Sequence, residues 1–198
     1  AELADLARAG AATVVRLAVK LRYDGFTGLQ AAVQEELEDR LRPAVQRIRQ
    51  LRPDDVLGVA TLREAANVHE TMEAIDRAAF AEACLVLGDV GRQVLVVSGE
   101  ATRGVAIQGV GMLGSLRPGV ELLDGNPVSV AARIASLRTG DVLVAIDLRR
   151  YEGWVLEVVE AAVSAGALIV AMTDSRLSPL AALASASFVV AAESAGPF

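Results

Sequence analysis

Hydrophobic positions recur with a helical period near the start of the chain and in short continuous runs in its second half. Between Thr13 and Phe26 apolar residues are spaced i, i+3, i+4 and i+7, which predicts a short amphipathic helix. Its apolar face is formed by Val14, Leu17, Ala18 and Leu21. Its polar face is formed by Thr13, Arg16 and Lys20. A hydroxyl and two cations therefore point away from the predicted core together.

The segments on either side of this helix complete a predicted helix-turn-helix. Residues 2–9 form a short amphipathic helix, and Gly10 provides the break before the second helix. A turn at 23–26 follows, and then a long helix over 27–51 with a kink or restart at Pro43. A helix that packs on a small core and presents a row of this kind can lie in a DNA major groove. The alternative is an ordinary solvated helix face.

Short apolar runs rich in β-branched residues predict five strands in the second half of the chain. They lie at 94–98, 120–124, 142–147, 167–172 and 188–192. Helices are predicted between them at 102–116, 127–137, 152–165 and 178–186, and two more over 62–90, broken near Asp76. Apolar strands that alternate with helices indicate a parallel sheet covered on both faces. The predicted fold class is α/β: a small all-helical helix-turn-helix domain followed by a doubly wound five-stranded parallel sheet.

Composition supports two modules with different charge. The chain has 198 residues, of which 53% are hydrophobic, enough for one α/β domain and a small helical one. We place the boundary between 1–53 and 54–198. The first part holds nine Lys and Arg against seven Asp and Glu, and the second ten against eighteen. A mildly basic module beside an acidic one is compatible with DNA binding, since only the local field must favour phosphate.

Several classes of function are disfavoured by the residues present. With one cysteine and one histidine the chain offers no disulfide framework and no metal-ligand spacing, and Cys84 is expected to be a small buried hydrophobe. Neither a dinucleotide fingerprint nor a Ser-His-Asp arrangement is found, so no cofactor is predicted. His69 with Glu70 or Glu73 is the one plausible catalytic set, although a lone histidine more often serves packing or an interface. No apolar run is long enough to cross a bilayer, so a cytoplasmic location is expected.

The first module resembles a known family of regulators. The run ELADLARAG, followed by ATVVRLAVKLRYDGFTGLQAAVQEEL, is similar to the second half of the helix-turn-helix domain of the RpiR/MurR family of bacterial transcriptional regulators. Leu17 stands where that family often has Phe, Arg22 where it usually has Gly, and the turn after Ala9 is shorter. The family's domain has further helices before this point, so a longer native chain is expected. The predicted DNA contacts are Thr13, Arg16 and Lys20 in the groove and Arg22 and Tyr23 near the backbone.

The second module resembles the sugar isomerase (SIS) domain that such regulators carry as their effector module. The resemblance lies in VLVVSGEATRGVA, GDVLVAID and GALIVAMTDSRLSPLAALAS, in that order over most of residues 93–192. Ligands in such sheets bind where loops leave the carboxyl ends of the strands. The predicted ligand-binding residues are Ser98, Gly99, Thr102, Asp147, Arg149, Arg150, Thr173, Ser175 and Ser178. For Thr173, Ser175 and Ser178 a structural role in turns and helix capping is the alternative.

The loop after the third strand departs from the family pattern. SIS domains that hold sugar phosphates carry Ser-x-Ser-Gly-x-Thr there, whose hydroxyls and backbone N–H groups cradle phosphate, whereas this chain has IDLRRYEG. Arg149 and Arg150 could bind an anion through charge-assisted hydrogen bonds. Alternatively they form structural salt bridges and the pocket is vestigial.

The resemblances imply a transcriptional regulator, not an enzyme. We expect it to bind a double-stranded DNA operator as a homodimer or a dimer of dimers, with no membrane partner. Its SIS-like domain would oligomerise and sense a sugar phosphate or another small anionic metabolite. Two alternatives remain at this stage, namely a phosphosugar isomerase of the SIS type and a ligand-free SIS scaffold for oligomerisation.

Overall fold

The computed structural model of the chain describes residues 10–20, 23–41 and 56–193. The described residues belong to two compact units, a helical one up to residue 41 and an α/β one from residue 56.

The helical unit consists of two helices joined by a tight turn. Helix α1 spans Ala11–Lys20 and helix α2 spans Gly25–Leu41. The Tyr23 N–H donates to the carbonyl of Ala18 at 3.0 Å, which closes the end of α1. Gly25 has φ of +67°, a left-handed conformation that glycine adopts without the strain that a Cβ would cause. The turn therefore has the residue that its geometry needs.

Burial on α1 agrees with the predicted faces except at Leu17, while Leu21 of the predicted apolar face lies outside the described residues. Ala18 is fully buried and Val14 is half-buried, whereas Thr13, Arg16 and Lys20 are exposed. Leu17 was expected in the core, but 51% of its surface is exposed. The predicted first helix at 2–9, and the stretch 42–51 of the predicted long helix, lie outside the described residues.

Five parallel strands form the sheet of the α/β unit. They are β1 (Val94–Ser98), β2 (Val120–Leu122), β3 (Val142–Ile146), β4 (Leu168–Thr173) and β5 (Ala186–Val189). Their spatial order is β2-β1-β3-β4-β5, and every neighbouring pair is parallel. The predicted doubly wound five-stranded sheet is confirmed. The main difference in boundaries is at β5, which begins at Ala186 instead of residue 188.

Helices cover both faces of this sheet. They are α3 (Val56–Ala74), α4 (Arg77–Gly88), α5 (Arg103–Leu116), α6 (Pro127–Ala135), α7 (Gly153–Ser164) and α8 (Pro179–Leu183). Alternate residues of a strand point to opposite faces, so Leu95 and Val97 pack with residues of α6, α7 and α8. Val94 and Val96 pack on the other face with residues of α4 and α5. The core is thus two apolar layers separated by the sheet.

Helix α3 is attached to the segment after β5. The Asn67 side chain donates to the carbonyl of Glu193 at 2.7 Å, and the hydroxyl of Thr71 accepts from the N–H of Ala191 at 2.9 Å. The predicted break near Asp76 is confirmed, because α3 ends at Ala74 and Asp76 caps the start of α4. The Asp76 carboxylate accepts from the N–H groups of Ala78 and Ala79.

Cys84 was expected to be buried and is exposed, because its neighbour Ala83 is the residue of α4 that faces the sheet.

Across the described residues, no helix combines the length and the apolar character needed to span a bilayer.

Candidate ligand site at the carboxyl edge of the sheet

The strand order places the loops after β1 and β3 side by side. Sheets of order 2-1-3-4-5 have their topological switch point between β1 and β3, and ligands of such folds bind there. In this chain the Gly99 N–H donates to the carbonyl of Ile146 at 3.1 Å, which joins the two loops directly. The predicted residues of these loops, Ser98 to Thr102 and Asp147 to Arg150, are therefore neighbours.

Gly99 is at the closest approach of the two loops. A Cβ atom placed there would lie 2.6 Å from Asp147 Oδ1 and 3.0 Å from Glu152 Oε1. The first distance is a clash with a buried carboxylate, and the second is a tight contact that the Glu152 side chain would have to relieve by moving. Gly99 is required because two carboxylates fill the space in front of it.

Those two carboxylates accept hydrogen bonds from the backbone of the site. Asp147, only 2% exposed, accepts from the Glu152 N–H at 2.7 Å, where α7 begins. Glu152 Oε1 accepts from the Glu100 N–H at 2.6 Å, and Glu152 Oε2 accepts from Trp154 Nε1 at 2.6 Å. N–H groups of this kind, at a helix start and a strand-end loop, are the usual donors to a bound anion. Here the protein's own carboxylates occupy them.

Burial raises the pKa of the Asp147 carboxyl above its ordinary value. The nearby Glu152 and Asp174 carboxylates raise it further, while hydrogen bonds from the N–H groups of Glu152 and Leu148 lower it. The net effect is upward because desolvation is the largest contribution. A buried carboxylate at this position is thus held at some cost in stability.

The Thr102 hydroxyl serves the backbone of the two loops. It is buried and donates to the carbonyl oxygens of Ile146 at 2.9 Å and Gly99 at 3.2 Å. It fastens the β1 loop to the end of β3, and this contact explains its presence without a ligand.

The two arginines of the β3 loop have different environments. Arg149 adopts φ of 65°, in the left-handed region that residues other than glycine rarely occupy, and its guanidinium donates to the carbonyl of Ala192. Arg150 is exposed, and its N–H donates to the carbonyl of Leu148 at 2.7 Å. Arg149 therefore braces the loop against the segment after β5, which agrees with a structural role.

The loop after β4 is organised mainly by local hydrogen bonds. Ser178 accepts from the N–H of Ala181 at 3.0 Å and caps α8, and Ser175 accepts from the N–H of Leu177 at 3.1 Å. Capping and turn formation account for both serines. Thr173 is fully buried, and within the described residues its hydroxyl has no hydrogen-bond partner. Tyr151 donates its phenolic hydrogen to Asp174 at 2.7 Å, which links this loop to the β3 loop.

A cavity of about 780 Å³ opens beside the switch point, between α6 and α7. Of the predicted ligand-binding residues only Ser98 lines it. Its other polar or aromatic lining residues are Glu100, Arg103, Asp124, Trp154 and Glu157. Sequence reasoning missed Trp154 and Glu157, which lie on α7 beyond the loop motif. Their signal was weak, because nothing in the sequence distinguishes them from ordinary exposed helix residues. We take this cavity as the candidate site, since the loop motif itself is filled.

The remaining predicted residues belong to the helical unit or to α3. In the helical unit Thr13, Arg16, Lys20 and Tyr23 are exposed, and Arg22 lies outside the described residues. Arg16 Nε donates to the carbonyl of Ala12 at 3.3 Å, a long bond on an exposed surface. His69 is on α3 with its ring Nε2 3.3 Å from Glu73 Oε1, and both side chains are largely exposed. The predicted catalytic set is therefore not placed in the candidate site.

Solved structures with a similar fold come from both regulators and enzymes. The sugar isomerase domain of an RpiR transcription factor from Sphaerobacter thermophilus is 21% identical, with a TM-score of 0.61 over 70% of this chain and 77% of that one. The Vibrio vulnificus NanR protein complexed with ManNAc-6P is 19% identical, with a TM-score of 0.60 over 100% of this chain and 69% of that one. A phosphoheptose isomerase from Francisella tularensis is 18% identical, with a TM-score of 0.59 over 73% of this chain and 88% of that one.

At these identities the similarity establishes the fold: the α/β unit has the fold of the sugar isomerase domain. No protein-family model matches the sequence, and no curated protein matches it.

The raised pKa of Asp147 gives a pH prediction. Unfolding returns this carboxyl to an ordinary pKa near 3.8, so above pH 3.8 the unfolded chain releases a proton that the folded chain still holds. Wild-type stability therefore falls as pH rises from 3.8 through the folded-state pKa. Asp147→Asn removes this dependence while its amide oxygen can still accept from the Glu152 N–H. We expect the melting temperature of the variant relative to wild type to increase with pH across this window.

Thermal denaturation followed by circular dichroism between pH 3.5 and 7.5 measures this difference. Glu160→Gln is a control, because Glu160 is an exposed carboxylate on α7 of the same unit. A melting-temperature difference for Asp147→Asn that is constant with pH, or that decreases, would show that Asp147 is not held at a raised pKa.

Proposed function

We propose that this protein is a DNA-binding transcriptional regulator whose SIS-fold unit oligomerises and binds a small-molecule effector. The observation that carries the proposal is the exposed row of Thr13, Arg16 and Lys20 on α1, the helix whose opposite side contributes buried Ala18 to the helical unit. Helices that read a major groove have this division between a docked side and an open, hydrogen-bonding side. A protein acting in this way would work in the bacterial cytoplasm.

Two further findings support the regulator over an isomerase. The similarity to the NanR protein extends over both units of this chain, whereas the similarity to the phosphoheptose isomerase covers 73% of it. In addition, His69 and Glu73, the proposed acid and base of an isomerase, form an exposed pair on α3 outside the lining of the cavity. A regulator needs the helical unit and makes no demand on this pair.

The predicted DNA contacts are testable at Arg16. If its guanidinium contacts a base edge, Arg16→Ala should weaken binding to the cognate sequence by roughly 1–3 kcal/mol. The cognate DNA can be selected from a random-sequence pool with the wild-type protein, and affinities measured by fluorescence anisotropy at fixed salt. The long bond from Arg16 to the Ala12 carbonyl is weak enough for DNA to displace.

Arg77→Ala is the charge-matched control, because Arg77 is an exposed arginine at the start of α4 in the other unit. Equal affinity losses in the two variants would mean that charge alone matters and that α1 does not read bases. An unchanged affinity in Arg16→Ala would remove Arg16 from the interface.

A homodimer, or a dimer of dimers, is proposed because reading of paired half-sites requires two DNA-binding heads. The exposed side of α5 supports it: Val105, Met112 and Leu116 are spaced i, i+7 and i+11, and each is more than half exposed. Gly109 lies on the same stripe, and a Cβ there would meet no atom within 4 Å. An open apolar stripe of this kind is typical of a helix that packs against another copy.

Met112→Lys tests the dimer. Burying an unpaired ammonium in an apolar interface is costly, so we expect the variant to dissociate at concentrations where wild type is associated. Sedimentation velocity over a concentration series measures this. Val128→Lys is the control, since Val128 is a similarly exposed apolar residue on α6. Identical sedimentation of Met112→Lys and wild type would exclude α5 from the interface.

The proposed effector site is the cavity between α6 and α7, which Ser98 lines and which lies beside the other predicted residues of the switch point. The NanR protein is complexed with ManNAc-6P, and in this chain the exposed Arg150 would be the partner for the phosphate of such a ligand. The filled N–H donors near Glu152 oppose that class in this chain. If neither a sugar phosphate nor another small metabolite binds, the alternative of a ligand-free scaffold for oligomerisation is favoured.

A further inference from the structure

The cavity between α6 and α7 has a mostly apolar interior. Its floor includes Leu123 after β2, and its walls are formed by side chains of the two helices. These are Val130, Ala131, Ile134 and Ala135 on α6 and Val158, Ala161 and the adjoining Ala165 on the side of α7. A volume of about 780 Å³ is within the range of small-molecule sites. A ligand here would bury an apolar body.

The charged groups at the mouth of the cavity have a negative excess. Arg103 and Asp124 pair with each other at 2.9 Å between Nη2 and Oδ2, so they largely neutralise one another. Glu100 and Glu157 also line the cavity and are exposed. Within the described residues neither of these two carboxylates has an ion-pair partner. The local field at the mouth therefore attracts a positive charge and repels an anion.

Trp154 adds an aromatic face to this mouth. It lines the cavity and is 41% exposed, and its Nε1 donates to Glu152 Oε2 at 2.6 Å. The hydrogen bond fixes one edge of the indole, which restricts the orientation of the ring. Indole faces bind ammonium and other organic cations through the negative potential of the π system. The carboxylates and the ring thus favour the same charge.

Ser98 supplies an unused polar group to the same cavity. Its side chain lines the wall although the residue is only 6% exposed. Among the residues that the structure describes, its hydroxyl has no hydrogen-bond partner. The Ser98 hydroxyl is therefore available to a ligand in the cavity as a donor or an acceptor.

The neighbouring donors are closed to a phosphate. The Glu100 N–H already donates to the Glu152 carboxylate, and the Glu152 N–H already donates to the Asp147 carboxylate. A phosphate at this edge would have to displace a carboxylate from each donor and then remain beside both of them. The negative charges of the phosphate and of the two carboxylates would then repel one another strongly, because the site is partly buried.

We propose that the cavity between α6 and α7 binds a small organic cation with an apolar body, and not a phosphorylated sugar. Its ammonium group is held at the mouth by Glu100, Glu157 and the Trp154 ring, and its apolar part packs between the two helices. The inference depends on the proposed function only in taking this cavity as the effector site.

Trp154 is the chain's single tryptophan, so its fluorescence reports on the cavity mouth. The probes are three compounds of matched shape and different charge: 3-phenylpropylammonium, 3-phenylpropanol and 3-phenylpropionate, with N-acetylmannosamine 6-phosphate as the sugar phosphate. We expect the ammonium to bind at least about tenfold more tightly than the alcohol, and the two anions to bind more weakly than either. Tighter binding of the sugar phosphate or of the carboxylate would overturn the proposal, as would equal affinity for all three phenyl compounds.

Glu157→Gln tests the charge of the mouth. It should reduce affinity for the ammonium about tenfold and leave affinity for the alcohol unchanged, because only the Coulombic attraction is removed. Glu160→Gln is the matched control: Glu160 is an exposed glutamate on the same helix and does not line the cavity. Equal effects of the two substitutions would mean that the helix's overall charge, and not this site, attracts the cation. Circular dichroism confirms that both variants fold.

Neither measurement contains DNA, so failure of the cation proposal and failure of the proposed function are distinguishable. Loss of DNA binding in Arg16→Ala with an intact fluorescence response would leave the cavity assignment standing. A Trp154 emission that changes on dilution and responds to no probe would show that a second copy of the chain covers the mouth, and the proposal would be wrong.

Discussion

The occupancy of two backbone N–H groups by carboxylates determines what the site can bind. At the switch point of a parallel sheet, a helix N-terminus and a strand-end loop together form a region of positive potential. In this chain the carboxylates of Asp147 and Glu152 accept the hydrogen bonds that an anion would otherwise accept. They lie 2.7 Å from the Glu152 N–H and 2.6 Å from the Glu100 N–H, respectively. These contacts oppose binding of an anion to the same donors, and a Cβ at Gly99 would lie 2.6 Å from Asp147 Oδ1.

The same sheet explains why a cavity lies beside this point. Strand alternation sends Leu95 and Val97 to the face covered by α6 and α7, which fixes the distance from the sheet to these helices. Where the two helices face each other they present alanines at i and i+4: Ala131 and Ala135 on α6, and Ala161 and Ala165 at and beyond the end of α7. Short side chains on both walls leave space that larger residues would fill.

Periodicity predicted the sheet well because each strand is a local apolar run, and β1 was predicted at its observed bounds. The site was predicted only in part. Its loops follow from topology, but the bond between Glu152 and the Glu100 N–H joins residues 52 positions apart, and no local pattern indicates it. Exposure at Leu17 and Cys84 was missed for a related reason, since a helix's period gives its faces but not the neighbour that covers them.

The charge distribution along the chain agrees with the proposed division of function between its two units. Residues 54–198 hold eighteen acidic against ten basic side chains, so their long-range field repels DNA phosphate and attracts cations. Glu100 and Glu157, which have no ion-pair partner among the described residues, act in the same direction at short range, where screening is weaker. In the proposed regulator, the basic surface that a duplex requires would lie on the residues before the α/β unit, where Arg16 and Lys20 are exposed. If the α/β unit binds a cation as proposed, the same acidic charge would also repel DNA phosphate and so favour contact of the DNA with the helical unit.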